Sequence, residues 1–233
     1  MNTANQTSSK LGWVGAGRMG YAMAERLAKA GCNLSIWNRT RSKAEPLAEH
    51  GVEVVDGLAE LGDKDIVFTM VATQDHLVDV LFGDAGVLSG KAAPKIVVDC
   101  TSISAEVSAE VRARLAERGI EFIAAPVSGN AKCVKAGKLS VVASGPKSSY
   151  DQVSELLEII GGLGATWVGE GELSRIVKIC HNVFLGVVTQ SLAELTVLAQ
   201  KSGVPRHAFL DFMNKSVMGS IFSRYKTCLL YTS

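Results

Sequence analysis

The chain has 233 residues, 47% of them hydrophobic and 20% charged, and its formal net charge is +1. This length accommodates one large domain or two modest ones. The balanced charge and the lack of a basic cluster argue against nucleic acid or an anionic membrane as a partner. The polar N-terminus lacks the apolar segment of a signal peptide, and no apolar run approaches the ~20 residues of a membrane span, so a cytoplasmic protein is expected.

Cysteine and histidine spacing gives no sign of a disulfide framework or a metal site. No two of the five cysteines have CxxC spacing, and the four histidines lack metal-ligand spacing. We therefore expect buried, reduced cysteines in a reducing compartment and no metal. The cysteines are Cys32, Cys100, Cys133, Cys180 and Cys228.

A β-α-β unit of about 30 residues follows the polar N-terminal segment. The apolar run 11–14 predicts a strand, the pattern over 18–30 a helix, and residues 33–37 a second strand. Alternation continues to residue 168 and predicts a mostly parallel, doubly wound α/β sheet of Rossmann type. The further predicted strands are 65–71, 95–100, 120–126, 139–144 and 165–169, and the further helices are 104–119 and 148–161.

The pattern changes near residue 169, where a second, all-helical domain is predicted to begin and to occupy 169–233. Leu173 to Lys201 contains no turn signal except Gly186, so it predicts one long interdomain helix, and Pro205 opens another helix. An all-helical domain needs several helices to bury its apolar faces. We therefore expect a truncated chain whose last six or so residues are not native.

The turn between the first strand and the first helix fits G-x-G-x-x-G. Glycines allow the tight turn, the approach of a pyrophosphate to the backbone, and close packing of helix on strand. The phosphate then lies at the positive end of the helix. Because the motif stands in a β-α-β unit of the right length, it predicts dinucleotide binding. Its residues are Gly15, Ala16, Gly17, Arg18, Met19 and Gly20.

The end of the second strand distinguishes NADP from NAD. NAD-binding proteins usually carry an acidic residue there for the ribose hydroxyls. This chain has Asn38-Arg39-Thr40-Arg41 instead, and Arg39 could hold a 2′-phosphate with help from Asn38 and Thr40. NADP is expected, with NAD possible, although both arginines could simply be solvated loop residues. Met70 and Val71, which end the strand over 65–71, are further expected cofactor contacts.

The stretch RIVKICHN (175–182) places Arg175, Lys178, His181 and Asn182 on one helix face. Such a polar stripe is usually the solvent-exposed face of a helix. The spacing alone leaves open whether Lys178 and Asn182 instead face a substrate.

Together these blocks resemble the β-hydroxyacid dehydrogenase family, which includes 3-hydroxyisobutyrate dehydrogenase, tartronate semialdehyde reductase and L-threonate dehydrogenase. VGAGRMGYAMAERL (14–27) resembles the family's cofactor signature, and the triplet 38–40 that of its NADP-using glyoxylate and succinic semialdehyde reductases. DCTSIS (99–104) is similar to the D-x-S-T-x-S/P loop, with Thr101 and Ser102 in inverted order. The resemblance implies that both hydroxyls face substrate or cofactor.

APVSGNAKCVKAGKL (125–139) is similar to the family's substrate block A-P-V-S-G-G-x-x-G-A-x-x-G-x-L. The resemblance implies that Ser128, Gly129 and Asn130 bind the substrate carboxylate. Asn130 replaces a glycine, and because asparagine tolerates positive φ we expect the backbone to be kept and the pocket to be narrowed or made more polar.

The family's catalytic block is G-x-G-x-x-x-K-x-x-N-N, with His at the first Asn in a subgroup, and Lys178 to Asn182 fits its second half. Gly169 and Gly171 stand three residues too early and would place the catalytic register on Arg175. Lys178 is favoured because Asn182 fixes the downstream register and because arginine does not give up its proton near neutral pH.

The resemblance implies an NADP-preferring oxidoreductase that interconverts a small 3-hydroxy acid and its aldehyde or keto acid, with Lys178 as general acid and base, Asn182 orienting the lysine or the substrate, and no metal. A homo-oligomer is implied for the full-length protein, and weak or absent turnover with retained cofactor binding is expected for this chain. Two alternatives remain: a non-catalytic dinucleotide-binding interaction module, and an imine reductase-like enzyme.

Overall fold

A six-stranded parallel sheet forms the first part of the computed structural model, which describes residues 9–231, with side chains through residue 227. The strand order is β3-β2-β1-β4-β5-β6, the doubly wound order with its switch point between β1 and β4. This confirms the predicted fold class. The strands are β1 (Leu11–Val14), β2 (Leu34–Trp37), β3 (Glu53–Val54), β4 (Ile66–Thr69), β5 (Ile96–Asp99) and β6 (Glu121–Ala124).

Helices cover both faces of this sheet, as the continuous apolar strands require. On one face Trp13 stacks on Phe68 at 5.4 Å between ring centroids, in a cluster that includes Leu27 and Leu157. On the other face Val67 lies in a second cluster with residues of the helices that follow β4 and β5. Each fully buried apolar side chain contributes about 1.5–3 kcal/mol. The helices are α1 (Arg18–Lys29), α2 (Gln74–Phe82), α3 (Ala105–Ala116), α4 (Ala131–Lys135) and α5 (Lys147–Gly161).

The strands after β6 form a separate three-stranded sheet, ordered β7-β8-β9. The prediction that they belong to the large sheet is therefore wrong. β7 (Val127–Ser128) pairs antiparallel with β8 (Leu139–Ala143), and β8 pairs parallel with β9 (Gly162–Trp167). The ten residues between β7 and β8 hold only α4. A parallel return needs a crossover of about a dozen residues or more, so β8 reverses direction.

Three helices follow: α6 (Leu173–Lys201), α7 (Arg206–Lys215) and α8 (Ile221–Tyr231). The predicted ends of α6 are confirmed. The chain divides into two compact units between Lys178 and Ile179, inside α6 and ten residues beyond the predicted boundary. In the second unit, the Asn214 side chain of α7 donates to Thr227 at 2.8 Å and accepts from Ser223 at 3.1 Å. The side chains of the final six residues, predicted to be non-native, lie outside the described set.

Of the described helices, α6 alone is long and apolar enough to cross a membrane by length and composition. The sequence expectation that no run approaches this length is therefore wrong, because isolated polar residues such as Lys178 and Gln190 interrupt the run without making it polar overall. Large apolar side chains are exposed along the second unit, among them Val183, Phe184, Leu198, Phe212 and Val217.

The cysteines are less uniformly buried than predicted. Cys100 is buried, Cys32 and Cys133 are partly buried, and Cys180 is exposed on α6. Burial raises the pKa of the Cys100 and Cys32 thiols. The expected packing role is therefore wrong for Cys180, and the Cys228 side chain lies outside the described residues.

Candidate functional site

Four of the predicted binding segments lie at one edge of the large sheet. Parallel strands all end at the same edge, and the glycine-rich turn follows β1, Met70 follows β4, Thr101 follows β5 and Ser128 comes shortly after β6. The segments after β1 and β4 adjoin the switch point, where open α/β sheets bind their ligands. The topology therefore brings the candidate cofactor and substrate residues of the first unit together.

The three motif glycines have distinct steric surroundings. Gly15 has φ of 103°, and a Cβ there would lie 2.3 Å from the Met70 carbonyl oxygen. A Cβ on Gly20 would lie 2.0 Å from the Gly15 carbonyl oxygen, whereas a Cβ on Gly17 would meet nothing within 4 Å. Gly17 precedes α1, whose N-terminus has no side-chain cap and no acidic residue in its first turn. The turn is thus closed on the protein side and open where a pyrophosphate would bind, so these residues fit a dinucleotide.

The two arginines in the loop after β2, Arg39 and Arg41, differ in their interaction partners. Arg41 forms a salt bridge of 2.6 Å with Asp56 and one of 3.6 Å with Glu45. Arg39 is exposed and forms no ion pair or hydrogen bond with the described residues. Because Arg39 has no partner among the described residues, its guanidinium is available to an anionic ligand.

Asn38 joins this loop to the glycine-rich turn. Its side-chain oxygen accepts from the Ala16 amide at 2.7 Å, and its side-chain nitrogen donates to the Thr40 carbonyl at 2.8 Å. Both ends of the carboxamide are therefore engaged within the protein. The geometry gives Asn38 a role in shaping the cofactor loops in addition to any contact with a ligand.

The two hydroxyl residues after β5 differ in exposure. Thr101 is fully buried and its hydroxyl accepts from the Val71 amide at 3.1 Å, which joins the ends of β4 and β5. Ser102 is exposed. Of the two predicted ligand contacts, Ser102 is therefore the one whose side chain reaches solvent.

The substrate block folds as a turn that leads into α4. Gly129 has φ of 136°, and a Cβ there would lie 2.9 Å from Leu139. Asn130 has an extended backbone with φ of −125°, and its side-chain oxygen accepts from the Cys133 amide at 3.1 Å as the N-cap of α4. The tolerance of asparagine for positive φ is therefore not needed at Asn130, because Gly129 is the residue that has a positive φ. Ser128 is half-buried, and Gly129 and Asn130 are exposed.

Lys178 is half-buried on α6, in the last residue position of the first unit. Partial burial lowers the pKa of its ammonium group. Among the described residues no carboxylate lies within salt-bridge distance of its Nζ atom. Asn182 is exposed and belongs to the second unit, where its side-chain oxygen lies 3.4 Å from His181 Nδ1.

A buried polar network at the start of α6 was not predicted. Arg175 is 2% exposed and forms a 2.6 Å salt bridge with the fully buried Asp99 of β5. Arg175 also donates to the Thr101 carbonyl at 2.5 Å and to the Ser108 hydroxyl at 3.2 Å. All three of its guanidinium nitrogens are engaged, so it is not an alternative proton donor. The sequence presents Arg175 only as an alternative to Lys178 and gives no sign of its partner, which lies 76 residues away.

The start of α6 also accounts for the glycines of the catalytic block, Gly169 and Gly171, which stand three residues too early in this sequence. With the register on Lys178, the two glycine positions fall on Glu172 and Ser174. Glu172 forms a 2.7 Å salt bridge with Arg112, and the Ser174 hydroxyl donates to the Ala124 carbonyl at 2.9 Å. Both side chains hold the beginning of α6, so the chain replaces flexible glycines by anchoring contacts.

Comparison with known proteins identifies the family of the first part of the chain. Residues 10–169 match the family described as the NAD binding domain of 6-phosphogluconate dehydrogenase. Glyoxylate/succinic semialdehyde reductase 2, chloroplastic, from Arabidopsis thaliana is 30% identical over 211 residues, 90% of this chain and 59% of the relative. Cytokine-like nuclear factor N-PAC from Homo sapiens is 31% identical over 217 residues, 93% of this chain and 39% of that protein.

Among solved structures, the 3-hydroxyisobutyrate dehydrogenase of Mycobacterium tuberculosis with L-serine has a TM-score of 0.81 and 27% identity. The match covers 94% of this chain and 74% of that one. The chain spans about three fifths of the length of the Arabidopsis reductase. It belongs to the β-hydroxyacid dehydrogenase family that its motifs indicated, and its residues 10–169 form the NAD(P)-binding domain of that family.

Proposed function

We propose that the protein is an NADP-preferring reductase of small aldehyde or keto acids, interconverting them with 3-hydroxy acids. The observation that carries this proposal is Lys178, a half-buried lysine with a lowered pKa and no carboxylate partner among the described residues. A lysine on the solvated side of a helix would keep its ordinary pKa. A lysine that exchanges a proton near neutral pH needs a pKa below its ordinary value.

The residues of the chain divide the chemistry between binding and proton transfer. The substrate carboxylate is held by the Ser128 hydroxyl and by the turn at Gly129 and Asn130, while Ser102 offers a further hydroxyl. The nicotinamide, when bound, supplies the hydride to the carbonyl carbon. The Lys178 ammonium stabilises the negative charge that grows on the carbonyl oxygen and delivers the proton to it. In the oxidative direction the neutral amine accepts that proton, and Asn182, one helical turn later in sequence, orients the lysine or the substrate.

The NADP preference is supported by the contrast between Arg39 and Arg41. A guanidinium without an internal partner can form a forked, charge-assisted contact with a 2′-phosphate. Arg41 is already paired with Asp56, so moving it would break a salt bridge. Arg39 is therefore the group we assign to the 2′-phosphate.

The test is NADPH oxidation by the chain and by its Lys178→Met variant with glyoxylate, succinic semialdehyde and tartronate semialdehyde. The expected result is weak but measurable turnover by the wild type and a loss of about 10²-fold or more in the variant. Lys91→Met is the matched control, because Lys91 is exposed and precedes β5, at the opposite edge of the sheet. Equal rates for the wild type and Lys178→Met would refute the role of the lysine.

A second candidate function is a dinucleotide-binding interaction module, which the similarity to the relative named as a nuclear factor favours. NADPH binding without turnover of any aldehyde acid would support it. A third, imine reduction, would be supported by turnover of a cyclic imine in the absence of aldehyde acid reduction. Lys178 and the turn at Ser128 favour the first function, because neither alternative needs a proton-donating lysine beside a carboxylate-binding turn.

A further inference from the structure

Within the first unit, α6 is buried only at its beginning. Ser174 and Arg175 are 0% and 2% exposed, whereas Ile176 and Val177 immediately after them are 50% and 41% exposed. The position of the helix start is therefore set by the polar contacts of its first turn more than by apolar packing. Lys178 lies three residues after Arg175 on the same helix face, so any shift of this turn carries the lysine with it.

Arg175 joins this turn to the loop after β5 through a closed set of bonds. Its Nη2 donates to Asp99 Oδ2 at 2.6 Å and its Nη1 to the Thr101 carbonyl at 2.5 Å. The other oxygen of Asp99 accepts from the Thr69 hydroxyl at 2.6 Å and from the Thr101 amide at 3.1 Å. One carboxylate thus fixes both the end of β4 and the backbone that precedes Ser102, and one guanidinium fixes α6 to them.

We propose that Arg175 is a positioning residue for Lys178, which fixes the lysine relative to the Thr101–Ser102 loop at the carboxyl edge of the sheet. This inference rests on the proposed function of Lys178. An arginine suits the role because its planar fork holds one orientation through three separate acceptors, whereas a lysine would supply a point charge. A buried ion pair is weak evidence for stability alone, and its best-attested use is to fix one arrangement among several.

The alternative is that Arg175 only stabilises the fold. The two roles differ in what they do to Lys178 in a protein that remains folded. If Arg175 positions the lysine, loosening its contacts lets water reach the ammonium and returns its pKa toward the ~10.4 of a solvated lysine. If Arg175 is only structural, loosening its contacts changes the melting temperature and leaves the pKa of Lys178 unchanged.

The experiment measures the rate at which an amine-reactive reagent labels Lys178, followed by peptide mass spectrometry from about pH 7 to about pH 11. The midpoint of this profile gives the pKa of the lysine, and the plateau gives its accessibility. Two variants are compared with wild type. Asp99→Asn/Arg175→Gln removes both buried charges together, and Ser108→Ala removes only the Nε acceptor, without leaving a charge unpaired.

The expected result is an upward shift of the midpoint in both variants, larger in the double one. The control is Arg26→Gln, since Arg26 donates to the Ile159 carbonyl at 2.6 Å and joins α1 to α5 without touching α6. This variant should lower the melting temperature and leave the Lys178 profile unchanged. If the double variant does not fold, Ser108→Ala decides. An unchanged midpoint in a folded Asp99→Asn/Arg175→Gln or Ser108→Ala variant overturns the proposal.

A second readout is the split between kcat and KM with an aldehyde acid. A displaced proton donor lowers kcat by about tenfold or more and leaves KM for the acid nearly unchanged. Labelling of Lys178 needs no substrate. A failure to reduce any aldehyde acid would therefore reject the proposed function and leave the positioning result standing, and an unchanged labelling profile would reject only the positioning role.

Discussion

The backbone amide of Ala16 donates a 2.7 Å hydrogen bond to the side-chain oxygen of Asn38, 22 residues later in the chain. This bond joins the glycine-rich turn after β1 to the loop after β2. The pyrophosphate and the adenosine ribose of a dinucleotide bind to these two segments in proteins of this fold. The distance between the two subsites is therefore set by one side chain that is itself held by the Thr40 carbonyl.

Asn38→Ala should weaken NADPH and NADH binding by the same factor. The variant loses a hydrogen bond worth about 1 kcal/mol, or roughly fivefold in Kd, and the lost bond shapes a turn that both cofactors use. Fluorescence titration with each cofactor measures the two values. A loss confined to NADPH would show instead that Asn38 acts on the 2′-phosphate.

Arg39→Gln should weaken NADPH binding by about tenfold or more and leave NADH binding unchanged, because it removes a charge-assisted contact of about 1.5–3 kcal/mol that only the 2′-phosphate accepts. Arg41→Gln is the matched control, two residues away and already paired with Asp56. The ratio of the two dissociation constants, measured at constant ionic strength, is the readout. Equal effects of the two substitutions on NADPH would contradict the assignment and indicate a general electrostatic contribution.

Local patterns predicted the parts of the fold that depend on short-range chemistry. The ends of α6 at Leu173 and Lys201 follow from an unbroken helical pattern that Gly203 and Pro205 terminate. The helix α2 was missed although its signal was present: Thr73 is an N-cap whose side chain accepts from the His76 amide. The two-residue strand β3 has no periodicity to detect.

The contacts that arrange the site depend on partners far apart in sequence. The Asp99–Arg175 pair joins residues 76 positions apart, and no spacing rule reports it. The spacing from Gly169 and Gly171 instead made Arg175 an alternative to Lys178 as the catalytic residue. The same limit applies to Asn130, for which the sequence offers only a tolerance of positive φ. In the structure Gly129 has the positive φ, and Asn130 has an extended backbone and caps α4.

Lys178→Met should raise the melting temperature near neutral pH, and the gain should shrink as the pH rises. Desolvation lowers the folded-state pKa of this lysine, so the unfolded chain binds its proton more tightly than the folded one. The cost of the buried charge is complete below the folded-state pKa. It is lost between that value and the ~10.4 of the unfolded chain.

Thermal unfolding of wild type and variant across this pH range measures the difference. Lys91→Met is again the control and should show no pH-dependent difference, because Lys91 is exposed. In a functional assay the same lowered pKa should make reduction slower and oxidation faster as the pH rises through it, since reduction requires the ammonium and oxidation the amine. A melting difference that is constant with pH would show that the lysine is not desolvated.

Gly17→Ala and Gly20→Ala should separate cofactor binding from folding. At Gly17 the backbone conformation suits alanine, and the added methyl group meets no atom of residues 9–227 within 4 Å, so stability should stay within about 0.5 kcal/mol of wild type. The methyl group occupies the space that a pyrophosphate needs, and NADPH binding should weaken by about tenfold or more.

At Gly20 the added Cβ would lie 2.0 Å from the Gly15 carbonyl oxygen, so that variant should lose stability even without cofactor. Calorimetry of both apo variants and NADPH titration of Gly17→Ala are the measurements. Unchanged NADPH affinity in Gly17→Ala would place the pyrophosphate elsewhere.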